Sequence, residues 1–314
     1  MKKKIAAILL FSALCVSVFA GCQSGNNGST SSTDGTSTVS STSTGASDSQ
    51  TEAVTGTISV VTREKGSGTR DAFIELTGIL QKDDAGNSTD RTSEDATTLS
   101  NTEGVLSNIS GDLRGIGYIS LGSLNDKVKA VSIDGVAPSV ETIVDGTYKI
   151  SRPFNIAIKK DGISDAAQDF INYILSAEGQ KVIADNGYVQ INDSAAAYTK
   201  SEATGKVTIE GSSSVSPAMV KLKEAYAEIN PDISVEIQTT DSSSGMNATM
   251  EGRCDIGMAS RGLKDTELEQ LTETTIAKDG IVVVVNNANN LSNLTMEQVC
   301  KIFTGEVTNW EDLA

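Results

Sequence analysis

TISVVTREKGSGTRDAF, residues 57–73, decides the fold. TISVVT (57–62) reads as a strand, KGSGT as a turn, and 69–80 as a helix. A strand that passes through glycines and hydroxyls into a helix is the building unit of an α/β sheet. The start of such a helix exposes backbone N–H groups and partial positive charge. Gly66 and Gly68 allow close backbone approach, while Ser67 and Thr69 add hydroxyl donors. No Lys-Ser/Thr pair follows these glycines at the spacing of a P-loop.

The same design recurs in IEGSSSVSPAMV (209–220) and QTTDSSSGMNAT (238–249). One such turn alone is more simply an N-cap, where Ser and Thr are preferred. Three in one chain point to helix starts that hold an anion without needing formal charge. Between and beyond them strands and helices alternate. Strands are expected at 115–120, 128–133, 154–160, 206–211, 233–239, 254–260 and 280–286. Helices are expected at 97–109, in one long amphipathic run from Ser164, and at 217–229, 243–251, 264–272 and 295–303. The pattern predicts α/β layers around a mainly parallel sheet. The roughly 260 residues of folded sequence exceed one ordinary core, so two lobes are expected.

Composition narrows the function. A formal net charge of −16 argues against nucleic acid as a partner. It does not exclude an anion ligand, because surface carboxylates are screened over roughly 8 Å at physiological salt. The sequence contains no histidine, which removes the commonest general base and Ser-His-Asp hydrolysis. Cys254 and Cys300 lie in apolar-patterned stretches and read as small buried hydrophobes rather than a disulfide. No metal site and no cofactor are expected.

The N-terminus sets the compartment. Lys2, Lys3 and Lys4 precede an apolar stretch to Phe19 that is too short for an ordinary membrane span. Phe19-Ala20-Gly21-Cys22 resembles a bacterial lipobox, in which Cys22 is acylated. Residues 1–21 thus read as a lipoprotein signal, and 22–55, rich in Ser, Thr and Gly, as a flexible tether. The expected location is the extracytoplasmic face of the cell membrane, held by lipid.

REKGSGTR, GSSSVSP and DIGMASR together resemble the phosphate-binding protein family of ABC-type phosphate importers, over nearly all of 57–314. The resemblance implies a two-lobed periplasmic-binding-protein-like fold that closes around inorganic phosphate. It implies delivery to the permease subunits of the importer, with no bond broken. By position, Arg63 would pair with phosphate oxygens, and Ser67, Gly68 and Thr69 would donate from a helix start. Ser214 and Val215 would donate from the other lobe, with Ser242 and Ser243 beside them. Asp255 would accept a proton from phosphate and repel sulfate, which has none. Sulfate or molybdate binding is the alternative within this class. A serine phosphatase or esterase using Ser67 or Ser214 is the rival outside it, although no nucleophile elbow is present.

The order of segments departs from that family. There, a segment like IFTGEVTNWEDL runs directly into one like ISVVTREKGSGTR. Here NWEDLA closes the sequence, TISVVTREKGSGTR opens the folded part, and the old ends join through 192–205. The sequence therefore reads as a circular permutation, unless the end is one of gene assignment or a swapped dimer supplies the missing neighbour. One lobe would be contiguous, 153–286, and the other split, 56–152 plus 287–314, with crossing strands near 152–158 and 280–287.

Overall fold

The apolar run IVVVVN lies inside one strand of 16 residues, Leu271–Asn286, that both halves of the molecule share. The computed structural model describes residues 53–83 and 85–313. The lipobox cysteine, the signal and nearly all of the tether lie outside them, as does Ala314.

In chain order the first part comprises β1 (Ser59–Arg63), α1 (Gly68–Leu76), β2 (Leu80–Lys82), β3 (Ser88–Asp90), β4 (Thr97–Leu99), α2 (Thr102–Gly111), β5 (Gly115–Ser120), β6 (Val128–Ala130), β7 (Ser132–Ile133) and α3 (Val140–Val144). The middle comprises β8 (Ser151–Lys159), α4 (Asp165–Leu175), α5 (Ala177–Asp185), β9 (Gly205–Ser212), α6 (Ser216–Ile229), β10 (Ile233–Thr240), α7 (Ser242–Met250), β11 (Ile256–Ala259) and α8 (Asp265–Leu268). Then come β12 (Leu271–Asn286), β13 (Asn293–Leu294) and α9 (Met296–Thr304).

Eight strands follow one another in the order β10-β9-β11-β8-β12-β5-β1-β4, with β6 also on β12. The two flanks are parallel: β10 and β11 on β9, and β4 and β5 on β1. The centre is antiparallel, because β12 runs against β8, β5 and β6. The sheet is therefore mixed rather than mainly parallel. β8 and β12 pair from Lys159↔Leu271 to Ser151↔Gly280 and carry the chain between two buried cores. One core gathers Phe154, Phe170, Ile174, Leu222, Tyr226 and Ile256. The other gathers Ile58, Phe73, Tyr118, Ile281, Val283 and Phe303. This is the two-lobed α/β architecture.

Several sequence expectations change. Residues 97–109 are not one helix. Thr97 and Thr98 are β-branched and extend an edge strand on β1, and Asn101 caps α2 by accepting from the Gly104 N–H at 2.7 Å. Residues 264–272 hold only the short α8, because the TETTI run prolongs β12 back to Leu271. Residues 128–133 divide into β6 and β7, and the run from Ser164 breaks at Ser176 into α4 and α5. Cys254 is buried and Cys300 half-buried, both as free thiols.

The two ends of the described chain meet. The Trp310 N–H donates to Gly56 O at 3.0 Å, and the Ile58 N–H to Thr308 O at 2.8 Å. Thr57 and Asn309 form an antiparallel bridge. The Trp310 indole N–H donates to Arg114 O at 3.1 Å, and its ring joins the Phe73–Phe303 core. Phe73 stacks on Tyr118 with centroids 4.0 Å apart and meets Phe303 edge-on at 4.9 Å. The connection through 192–205 is also anchored. Asp169 accepts from the hydroxyls of Tyr198 and Tyr226 and from the Ser201 N–H. Burial pushes the Asp169 carboxyl up, but these donors outweigh it and hold the group below its ordinary value.

Trp310→Ala removes a buried indole from the seam and should lower unfolding free energy by about 3–5 kcal/mol in urea denaturation. An unchanged midpoint would mean that 309–313 lies outside the cooperative core.

Candidate functional site

The parallel flanks point their carboxyl ends at each other across the crossing strands, where α/β sheets bind ligands. β1 leads to α1, β9 to α6, β10 to α7 and β4 to α2, so four helix starts converge. Ser67 caps α1, its hydroxyl oxygen accepting from the Arg70 N–H at 3.3 Å. Asp241 caps α7 through the Ser244 N–H at 2.9 Å. At α6 the capping residue is Val215 and no side chain caps the helix, which leaves its start open to a ligand.

Hydroxyls from both lobes meet there. Thr69 Oγ1 lies 2.7 Å from Ser214 Oγ. Thr102 Oγ1 lies 3.4 Å from both Ser213 Oγ and Ser214 Oγ. Ser212 donates to Ser260 Oγ at 2.9 Å, and the Ser260 N–H donates to Ser242 Oγ at 3.1 Å. Thr69, Ser214, Ser242 and Ser260 are all buried. Gly68 is required by crowding: a Cβ there would run into Ser242 Oγ and lie 2.9 Å from Ser260 Oγ.

Arg63 supplies the cation. It is 2% exposed. Its Nε and Nη2 grip both oxygens of Glu64 at 2.8 Å, and Nη2 also reaches Ser213 Oγ at 3.2 Å across the cleft. That arrangement leaves the Nη1 edge for an oxyanion. Arg70 braces the turn from behind, donating to Arg63 O at 2.7 Å and pairing with Asp90 at 2.6 Å.

Other contacts join the lobes around this cage. The Ser243 N–H donates to Gly66 O at 3.1 Å, so that amide is engaged by the facing turn. Arg261 pairs with Glu267 at 2.8 Å within its own lobe and approaches Asp71 of α1 at 3.2 Å. Burial raises the Asp71 carboxyl despite Arg261. Below the cage, Arg152 on β8 pairs with Asp279 on β12 at 3.2 Å, and its Nη1 donates to Ser260 O at 3.1 Å. The pair is wholly buried; burial pushes Asp279 up against the pull of Arg152 and the Ser120 hydroxyl.

The expected residues thus divide. Arg63, Ser67, Gly68, Thr69, Ser214, Val215, Ser242 and Ser243 are brought together, although the Val215 N–H bonds to Ser212 O at 3.1 Å. Asp255 is not among them. It precedes β11 and accepts from the Thr208 N–H and hydroxyl, both at 2.7 Å, early in β9. The cage lies beyond the other end of both strands, roughly 16 Å of extended chain away. Ser213, Thr102, Ser260, Arg261, Arg70 and the Arg152–Asp279 pair were not anticipated. Ser260 and Arg261 stand within the quoted DIGMASR, where strand direction alone could have singled them out.

The arrangement offers hydroxyl and guanidinium donors to a small oxyanion, and the sequence supplies no histidine to activate a nucleophile. Residues 33–178 and 196–314 match the family model described as a PBP superfamily domain. "Phosphate-binding protein PstS 2" of Streptococcus agalactiae serotype V is 49% identical over 271 residues, covering 86% of this chain and 92% of that protein. "Phosphate-binding protein PstS 2" of Streptococcus pneumoniae serotype 4 is 45% identical over 262 residues, 83% of this chain and 89% of that protein. The crystal structure of a phosphate ABC transporter phosphate-binding protein from Streptococcus pneumoniae TIGR4 superposes with a TM-score of 0.66 at 46% identity, covering 82% of this chain and all of that one. Such relatives are substrate-binding components of transporters, not enzymes. By fold, sequence and the family model, this chain belongs to the phosphate-binding proteins of ABC phosphate transporters.

Proposed function

We propose that the chain holds inorganic phosphate in the hydroxyl cage between its lobes and presents it, from a lipid anchor on the extracytoplasmic face, to the importer's permease subunits. The observation that carries this reading is the convergence of Arg63, Thr69, Ser214 and Ser242 from segments far apart in sequence. Arg63 contributes its Nη1 edge. Thr69, Ser214 and Ser242 contribute hydroxyls, Ser67 and Gly68 the start of α1, and Val215 and Ser243 shape the opposing turns. Of the carboxylates beside this cage, Glu64 has both oxygens held by Arg63, and Asp241 accepts from the Ser244 N–H and hydroxyl. A proton on phosphate would then be accepted by a serine or threonine hydroxyl, which can accept as well as donate. Asp255 has no part in this reading.

The packing of Ile281, Val283 and Val285 with Phe73 and Phe303 supports a contiguous lobe that ends near Gly280 rather than at 286, and starts near Ser151. The meeting of Gly56 with Trp310 supports a permuted order within a single chain. The streptococcal relatives, aligned along most of both chains, carry their segments in the same order. The lipid anchor rests on the FAGC motif at 19–22. No helix among the described residues is long and apolar enough to cross a membrane.

Three outcomes are expected. Arg63→Ala loses charge-assisted hydrogen bonds worth about 1.5–3 kcal/mol each. Calorimetric titration should then show phosphate affinity reduced by about tenfold to a hundredfold, and unchanged affinity would place Arg63 outside the site. Asp255→Asn should leave both phosphate affinity and the preference over sulfate as they were; a narrowed preference would return Asp255 to the site. Cys22→Ala should abolish incorporation of labelled palmitate in the bacterial cell, and persistent labelling would exclude Cys22 as the acylated residue.

A further inference from the structure

Beside the cage, between the start of α2 and the start of α6, lies a cavity of about 810 Å³. Its lining includes Asn101, Ser216, Pro217 and Thr239, from both lobes. Two cage residues also line it, Thr102 and Ser213, whereas Arg63, Thr69 and Ser214 do not. Cage and cavity are therefore separated by one layer of side chains. Ser213 is fixed in that layer by Arg63 Nη2 at 3.2 Å. Thr102 is different. Its hydroxyl makes only long contacts, 3.4 Å to Ser213 and to Ser214, while the residue is 7% exposed. A buried hydroxyl without a short partner is available to a ligand in the cage. Beside that hydroxyl the same side chain presents a γ-methyl to the wall.

We infer that Thr102 is a specificity-determining residue: its hydroxyl contacts the bound anion, and its side chain closes the wall against any substituent on a phosphate oxygen. The inference rests on the phosphate-binding reading of the cage. Inorganic phosphate fits within the wall. A phosphate monoester carries carbon on one oxygen and must send it somewhere. The cavity, lined by Ser216 and Thr239 but also by Leu106, Pro217 and Val220, has room for a small substituent, and Thr102 stands in the way. The wild-type protein thus excludes monoesters sterically, not through lack of space beyond the wall.

The two parts of this role separate by substitution. Thr102→Val keeps the shape and removes the hydroxyl. Thr102→Ala removes the hydroxyl and opens the wall. Thr102→Ser keeps the hydroxyl and removes only the methyl. Calorimetric titration with inorganic phosphate and with methyl phosphate reads all three. Val and Ala variants should bind inorganic phosphate about tenfold more weakly, and Ser should stay near wild type. Only Ala and Ser should gain detectable binding of methyl phosphate. Should the Ala variant fail to fold, the Val and Ser variants still test the hydroxyl and the methyl separately. Wild-type affinity for phosphate in the Val variant, or methyl phosphate bound equally by wild type, would overturn the inference. Absence of phosphate binding by the wild-type protein would instead overturn the reading of the cage on which it rests.

Discussion

Everything in this molecule hangs from the antiparallel pairing of β8 with β12. These strands belong to both lobes, and they carry a buried ion pair, Arg152–Asp279, one partner on each. Removing either partner would leave an uncompensated buried charge, a loss of about 3–5 kcal/mol in comparable cases. Arg152 also holds Ser260 by its carbonyl, and Ser260 holds Ser242 by its N–H. The crossing strands therefore do more than connect two cores. They set the height at which one wall of the cage stands, and the parallel flanks on either side bring the helix starts to that height.

The electrostatics of the cage are local. The chain as a whole carries −16, yet the site presents hydroxyls, helix starts and one guanidinium whose charge is balanced by Glu64. Donors held by packing need no reorganisation when an anion arrives, and within a buried cleft each counts for more than in water. A surplus of surface carboxylates at more than a Debye length has little effect on such a site. The same logic explains why the cage favours small residues. Gly68, Ser242 and Ser260 are in mutual contact, and any larger residue at 68 would push the lobes apart.

Much of this was legible in the sequence, because strand–turn–helix units announce themselves by period and by turn residues. The units at Arg63–Thr69, Ser212–Ser216 and Asp241–Ser244 form as expected, and their helix starts are the ones that converge. Legibility ended where tertiary pairing decides. Thr97–Leu99 forms an edge strand because β1 offers it a partner, Arg63↔Leu99 among the pairs, not because of helical or strand period. Asp255 stands away from the cage for a directional reason. Ligands gather at the carboxyl ends of parallel strands, and β11 runs from Asp255 towards Ser260, in register with β9 from Ile209 to Gly211. The residue after the strand reaches the cage; the residue before it caps Thr208. Thr102 was hidden for another reason, since the start of α2 meets Ser213 only once the two lobes face each other.

The most direct test of the central claim is a crystal structure of the protein with bound phosphate. The anion should lie between the lobes within hydrogen-bond distance of Arg63 Nη1 and of the Thr69, Ser214 and Ser242 hydroxyls, with Asp255 remote from it. Phosphate bound elsewhere, or held without those hydroxyls, would contradict the account.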